Sequence, residues 1–281
     1  MALLTCKLKS QALMSTTTVR IYLPEDKKNQ YGGQPPRAVF TLLHGFTNDG
    51  EDWINMSSAL RYANDNHVAL IIPDAGNSFY HDTASNQGYY TWLTKEMPKL
   101  LDGIVSLPKE REKNFVCGLS MGGYGALLLA LTQPHRYAGC ASFSGAVALH
   151  MMLQQADNPL VRYTFEPVLG SSLELPANRD VFQLLQQVSK LPKQEQPKIL
   201  CTTGRQDHEP YYVYEQNQAL RQLAQSLPLD YTYMDWDGEH DWHVWDRSLV
   251  YAMDAFVSPG YAEKVFRQWT SQAFTAGGNQ A

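Results

Sequence analysis

The pentapeptide Gly118-Leu119-Ser120-Met121-Gly122 has the G-x-S-x-G spacing that presents a serine hydroxyl as a nucleophile. The serine of such a motif sits on a sharp turn in a strained conformation, so the residues flanking it must be free of bulk, which its two glycines supply. A serine hydroxyl is a poor nucleophile until a base takes its proton, and the base needs a carboxylate to orient it. Both follow Ser120: Asp207 in Gly204-Arg205-Gln206-Asp207, and His240 in Asp237-Gly238-Glu239-His240-Asp241-Trp242-His243. His208 and His243 are alternative bases, and Asp235, Asp237, Asp241 and Glu209 alternative acids. A loop position beside a glycine favours His240, and an acid arriving from another strand's end favours Asp207. Acyl transfer on Ser120 also creates an oxyanion that needs two aimed donors. The first is the backbone N–H of Met121, and the second is that of Phe46 in His44-Gly45-Phe46, where His44 reads as a structural hydrogen-bonder.

These residues require strands that end at one edge of a sheet. Phe115-Val116-Cys117 before Ser120 reads as part of a buried strand (Asn114 to Leu119), and Met121 to Thr132 after it as a helix. Short apolar runs at Ala38 to Leu43, Val68 to Ile72 and Ala138 to Phe143 are further strands, as are Lys198 to Thr202, which leads into Asp207, and Tyr231 to Trp236, which leads into His240. Thr16 to Leu23 reads as an antiparallel edge strand. Helices are expected at Trp53 to Ala63, Trp92 to Leu101 (with Pro98 against its second half), Tyr214 to Gln225 and Val244 to Phe256. The alternation predicts an α/β-hydrolase fold: a mostly parallel central sheet flanked by helices, as a single domain over residues 1–281. Between Val147 and Pro197 the alternation lapses, and 147–197 reads as a small cap insertion, an ordinary helical connection being the alternative.

The composition sets bounds on partners. A net charge of −5 offers no excess of positive charge for nucleic acid or an anionic membrane surface. Lys7 and Lys9 interrupt the apolar opening before an export signal forms, and no apolar run approaches the length of a membrane span. Cys117, Cys140 and Cys201 lie in strand-like stretches, and with Cys6 they show neither zinc spacing nor a disulfide framework, so a reducing cytoplasm is the expected setting. The polar stretch from Lys27 to Pro36 reads as a loop, and the tail from Thr275 to Ala281 is expected to fray.

Several spaced segments carry a resemblance: Leu43-His44-Gly45-Phe46 with Asp52-Trp53, Pro73-Asp74-Ala75-Gly76-Asn77-Ser78-Phe79-Tyr80, Gly118 to Ala126, and Gly238-Glu239-His240-Asp241-Trp242. Together they resemble the esterase group that includes tributyrin esterases, S-formylglutathione hydrolase (esterase D) and feruloyl esterase domains. The resemblance implies Ser120, Asp207 and His240 as catalytic residues, Phe46 and Met121 as oxyanion donors, and Gly45, Trp53, Asn77, Ser78 and Trp242 near the substrate. It implies a small-molecule ester as the partner, with no metal or organic cofactor, and leaves association into a homo-oligomer open. Typical S-formylglutathione hydrolases carry Leu-Ser-Gly-Leu-Thr-Cys where this chain has Leu-His-Gly-Phe-Thr-Asn. The chain is therefore more similar to tributyrin-type carboxylesterases, which implies acetyl to butyryl esters cleaved through an acyl-serine. Two other readings stand beside it: a thioesterase or acyltransferase with the same triad, and a catalytically silent hydrolase-fold module that binds a ligand or a protein.

Overall fold

The computed structural model describes residues 1–25 and 34–275, so the polar stretch at 26–33 and the tail at 276–281 lie outside the described residues. Among the described residues, eight strands form one sheet: β1 (Ala2–Ser10), β2 (Ser15–Leu23), β3 (Ala38–Leu43), β4 (Val68–Pro73), β5 (Asn114–Leu119), β6 (Gly139–Phe143), β7 (Lys198–Gly204) and β8 (Tyr231–Trp236). Their order across the sheet is β1-β2-β4-β3-β5-β6-β7-β8. β2 pairs antiparallel with β1 and β4, and every other neighbouring pair is parallel. The parallel strands β3 and β4 are buried along their whole length, which is why they read as unbroken apolar runs. The fold is that of α/β-hydrolases.

The helices are α1 (Asp52–Asn55), α2 (Ala59–Asp65), α3 (Tyr89–Thr91), α4 (Met97–Asp102), α5 (Met121–Thr132), α6 (Leu149–Leu153), α7 (Pro159–Leu169), α8 (Val181–Val188), α9 (Val213–Gln225), α10 (Trp242–Phe256) and α11 (Tyr261–Thr275). Side chains alternate across the sheet: Val39 and Leu43 join one core with α5, α7, α8 and α9, while Phe40 and Leu42 join a second with α2, α10 and α11. The crossover helices thus cover both faces, and the ends of β3, β5, β7 and β8 converge on one edge.

Two expectations need correction, and a third, the helix over Trp92 to Leu101, is present with a π-helical first part. Thr16 to Leu23 is antiparallel but not an edge, because β1 runs beside it. In β1, Leu4, Cys6 and Leu8 turn inward between exposed Thr5, Lys7 and Lys9, a period-two pattern. The helix expected over Trp53 to Ala63 is two helices, since Ser57 Oγ donates to Trp53 O at 2.5 Å and accepts from Ala59 N at 3.1 Å, interrupting the ladder. The helix over Trp92 to Leu101 continues through a π-helical turn at Trp92–Glu96, which places Pro98 in the first turn of α4, where its missing N–H costs nothing.

Candidate active site

Ser120 links β5 to α5 with backbone angles φ 54° and ψ −117°, a left-handed conformation that costs a non-glycine residue energy. Backbone hydrogen bonds hold it there: Ser120 N–H donates to Phe143 O at 2.9 Å, and Ser120 O accepts from Gly123 N at 2.9 Å and Ala146 N at 3.1 Å. Gly122 is required by close approach, because a Cβ there would lie 2.3 Å from Leu43 O. The bare backbone lets α5 dock against the end of β3 and brings the 44–46 loop beside the serine.

The loops after β7 and β8 are stitched together. Arg205 N–H donates to Trp236 O at 2.9 Å, Gln206 N–H to Gly238 O at 3.0 Å, and Gly238 N–H to Gln206 Oε1 at 2.6 Å. Gly204 permits this contact, since a Cβ on it would fall 2.2 Å from Gly238 O. As a result, Asp207 and His240, 33 residues apart in sequence, meet: His240 Nδ1 lies 2.7 Å from Asp207 Oδ2, and His240 Nε2 lies 2.9 Å from Ser120 Oγ. Asp207 is buried, whereas His240 is partly exposed. A carboxylate on Nδ1 holds the ring proton there and leaves the Nε2 lone pair facing the serine hydroxyl.

The other candidates sit elsewhere. His208 pairs with Glu215 at 2.6 Å on the surface, and exposed His243 stands in the first turn of α10. Asp241 caps that helix, accepting from His243 N and Val244 N. Asp235 and Asp237 bind Arg205 at 2.7 Å and 3.2 Å, and Glu209 is exposed.

A Cβ on Gly45 would lie 3.6 Å from Ser120 Cβ, so the loop that carries Phe46 passes beside Ser120. The loop is pinned from behind: Ala75 N–H donates to His44 Nε2 at 2.9 Å, which leaves Nδ1–H to donate to Gly45 O at 2.8 Å. Tyr80 OH adds a bond to His44 O at 2.7 Å. Burial pulls the His44 pKa below its ordinary value, keeping the ring neutral, as both bonds require. Met121 opens α5, and the N–H groups of a first helical turn have no partner inside the helix.

Ser120, Met121, Phe46 and His240 all line one cavity of about 360 Å³. Its remaining wall includes Phe79, Met152, Val161, Phe165 and Tyr211, with no Asp, Glu, Lys or Arg among the described lining residues. The family described as "Putative esterase" matches residues 10–256. The chain belongs to this esterase family. An acetyl esterase of Caldicellulosiruptor saccharolyticus is 27% identical over 268 residues, covering 90% of this esterase and 97% of that protein. S-formylglutathione hydrolase of Paracoccus denitrificans is 30% identical over 158 residues, covering 48% of this chain and 54% of its own. The solved structure of fluorophosphonate-binding serine hydrolase F (FphF) of Staphylococcus aureus superposes with a TM-score of 0.79 at 28% identity, covering 91% and 98% of the two chains. The esterase is, by this kinship, a serine hydrolase acting on ester bonds.

Of the residues expected near substrate, Gly45 lies beside Ser120, but Trp53, Asn77, Ser78 and Trp242 do not line the cavity of this esterase. Trp53 is fully buried, with Nε1 donating to Leu43 O at 3.1 Å. It is one link of an edge-to-face aromatic chain: Phe143 to Trp53 (6.3 Å), Trp53 to Trp242 (5.2 Å), Trp242 to Trp245 (5.3 Å) and Trp245 to His240 (5.1 Å). Trp53 and Trp242 therefore buttress the imidazole from behind. Buried Ser78 accepts from Tyr80 N at 3.0 Å, and Asn77 Oδ1 accepts from Thr47 N at 2.7 Å, so both order loops. The sequence reading missed the α6–α7 residues Met152, Val161 and Phe165, the 210–213 loop, Phe79 and Trp245. Only Val161 and Phe165 carried a signal, an i, i+4 apolar pair that marks the inward face of α7.

Proposed function

We propose that this esterase hydrolyses short-chain carboxylic esters, acetyl to butyryl, through an acyl intermediate on Ser120. The observation that carries the reading is the hydrogen-bonded chain Asp207–His240–Ser120 opening into an apolar cavity. In the first step Ser120 Oγ attacks the ester carbonyl while His240 Nε2 takes the hydroxyl proton. The tetrahedral oxyanion is held by the N–H groups of Met121 and Phe46. Collapse breaks the bond to the alcohol, whose oxygen receives the proton from His240. The imidazole then activates water to release the acid and restore the serine. Asp207 keeps the imidazole in its working tautomer throughout.

Two features support small, uncharged esters. The cavity lies near the lower end of the roughly 300–1,000 Å³ of small-molecule sites. Its charge-free lining offers no partner to the carboxylates and ammonium of a glutathione thiolester, whose burial unpaired is costly. The segment 147–197 acts in this reading as a cap within a single domain, because α6 and α7 supply part of the wall. Three buried free cysteines are compatible with a reducing, cytoplasmic setting.

Turnover of p-nitrophenyl esters from acetyl to octanoyl, and of S-formylglutathione, tests the reading. Activity should peak between acetyl and butyryl and fall at least about 10³-fold in Ser120→Ala. A preference for the thiolester by orders of magnitude would put the enzyme among thiolester hydrolases, and a folded protein inert on all substrates would make it a binding module.

A further inference from the structure

The cavity has two unlike zones. Its floor is closed: Phe79, Met121, Val161 and Phe165 are buried. Its rim is open, and the side chains there are large and mostly aromatic: Tyr163 is 77% exposed, Leu160 50%, Tyr212 46% and Tyr211 43%. Apolar surface left in water beside a nucleophile marks a place that something covers. Its continuity with the cavity makes the substrate itself the occupant.

The rim is built on fixed backbone. Leu160 and Tyr163 stand on α7, and Tyr211 and Tyr212 on the loop that starts at Asp207 and ends at α9. Tyr211 O accepts from Gln216 Nε2 at 2.8 Å, and Tyr214 N–H donates to Asp207 O at 2.8 Å. Tyr212 is held in a left-handed conformation, φ 52° and ψ 44°, with its N–H bonded to His208 O. Such a conformation is unfavourable for a bulky residue and persists only where surrounding bonds enforce it.

An ester bound for attack extends in two directions from its carbonyl carbon. The acyl half stays attached to Ser120 when the Oγ–C bond forms. The alcohol half departs when its C–O bond breaks and His240 protonates its oxygen. The closed floor suits the half that stays, and the open rim suits the half that leaves. We propose that Tyr163, Tyr211 and Tyr212 form the leaving-group subsite, and that the alcohol carries an uncharged ring with an apolar face, either the π face of an aryl group or the C–H face of a pyranose. Tyrosine rings bind such faces at low entropic cost, and the absence of Asp, Glu, Lys and Arg from the described cavity lining favours uncharged alcohols. The inference rests on the acyl-Ser120 reading.

The test compares kcat/KM for acetates of similarly acidic primary alcohols: n-hexyl acetate, benzyl acetate and methyl 6-O-acetylglucopyranoside. The wild type should prefer at least one ring-bearing ester over n-hexyl acetate. The preferred member identifies the ring as aryl or sugar. In Tyr163→Leu and Tyr211→Leu the preference ratio should fall about three- to tenfold, the worth of one aromatic contact, while Tyr163→Phe should retain it because the ring and not the hydroxyl is needed. No preference in the wild type, or an unchanged ratio in both leucine variants, overturns the subsite. A shift in oligomeric state with an unchanged ratio also overturns it and makes the rim a contact between copies. Turnover of n-hexyl acetate that vanishes in Ser120→Ala keeps the acyl-serine reading whatever the rim variants do, so the two failures are distinguishable.

Discussion

Replacing Asp207 by Asn should remove nearly all turnover while leaving the fold intact. Asp207 is buried, with Oδ2 2.7 Å from His240 Nδ1, and an amide of the same shape fits the space. With its NH₂ facing Nδ1, the amide forces the ring proton onto Nε2, which lies 2.9 Å from Ser120 Oγ and can then no longer accept the serine proton. The variant also loses a carboxylate that stabilises the imidazolium, worth about 4 kcal/mol for unit charges roughly 4 Å apart at an effective dielectric near 20. A barrier increase of about 4–5 kcal/mol corresponds to a loss of about 10³–10⁴ in kcat. Asp207 does not line the cavity, so KM should change little. Steady-state kinetics on p-nitrophenyl butyrate, with thermal unfolding as a control, reads both effects. Asp235→Asn and Asp237→Asn, which disturb only pairs with Arg205, should each stay within about twofold, as expected for exposed ion pairs. A kcat for Asp207→Asn within tenfold of wild type, or a larger loss in either companion, would refute the assignment of the acid.

Other outcomes follow from the same structure. Tyr124 OH meets His81 Nε2 at 2.6 Å and donates to Arg179 O at 2.7 Å, so Tyr124→Phe strands the buried His81 nitrogen and frees the half-buried Arg179 carbonyl, and should cost about 1–3 kcal/mol, read as a drop in Tm; an unchanged Tm would contradict this. Burial, aided by Arg179, lowers the His81 pKa to about 3. The unfolded imidazole, with an ordinary pKa near 6.5, takes up a proton first, so the His81 contribution is complete above about pH 6.5 and is lost as pH falls toward 3, at up to about 1.4 kcal/mol per unit. Urea midpoints at pH 7 and 4.5 should therefore fall less in His81→Gln than in wild type, and equal falls would show that His81 is not the cause. Phe165→Leu should deepen the floor and move the preferred acyl chain toward hexanoyl, at a stability cost of about 1–2 kcal/mol. An unaltered chain-length profile would mean that the acyl group lies elsewhere.

Much of this arrangement is legible because the candidate residues sit where strands end. The apolar run of β5, the glycines around Ser120 and the helix after it are local signals, and β7 and β8 point to Asp207 and His240 in the same way. The meeting of acid and base was inferred from their order along the chain, whereas the pairing of the 204–207 and 236–240 loops that accomplishes it is a tertiary fact. β1 was missed because Lys7 and Lys9 break up its inward-facing residues when read as a run, although the alternation is plain once a neighbouring strand is present. The resemblance implies Trp53 and Trp242 near the substrate, yet their rings pack behind Trp245 and His240. The 147–197 segment is expected as a cap, but which of its residues line the cavity is not legible for a related reason: amphipathic spacing marks an inward face of α7 but not the cavity it faces.

Intact-mass analysis of the enzyme quenched during turnover of p-nitrophenyl butyrate, followed by peptide mapping, reads the acyl intermediate itself. One butyryl group per chain is expected, located on Ser120 and absent in Ser120→Ala. An adduct on another residue, or Ser120→Ala turning over at the wild-type rate, would contradict the acyl-serine reading.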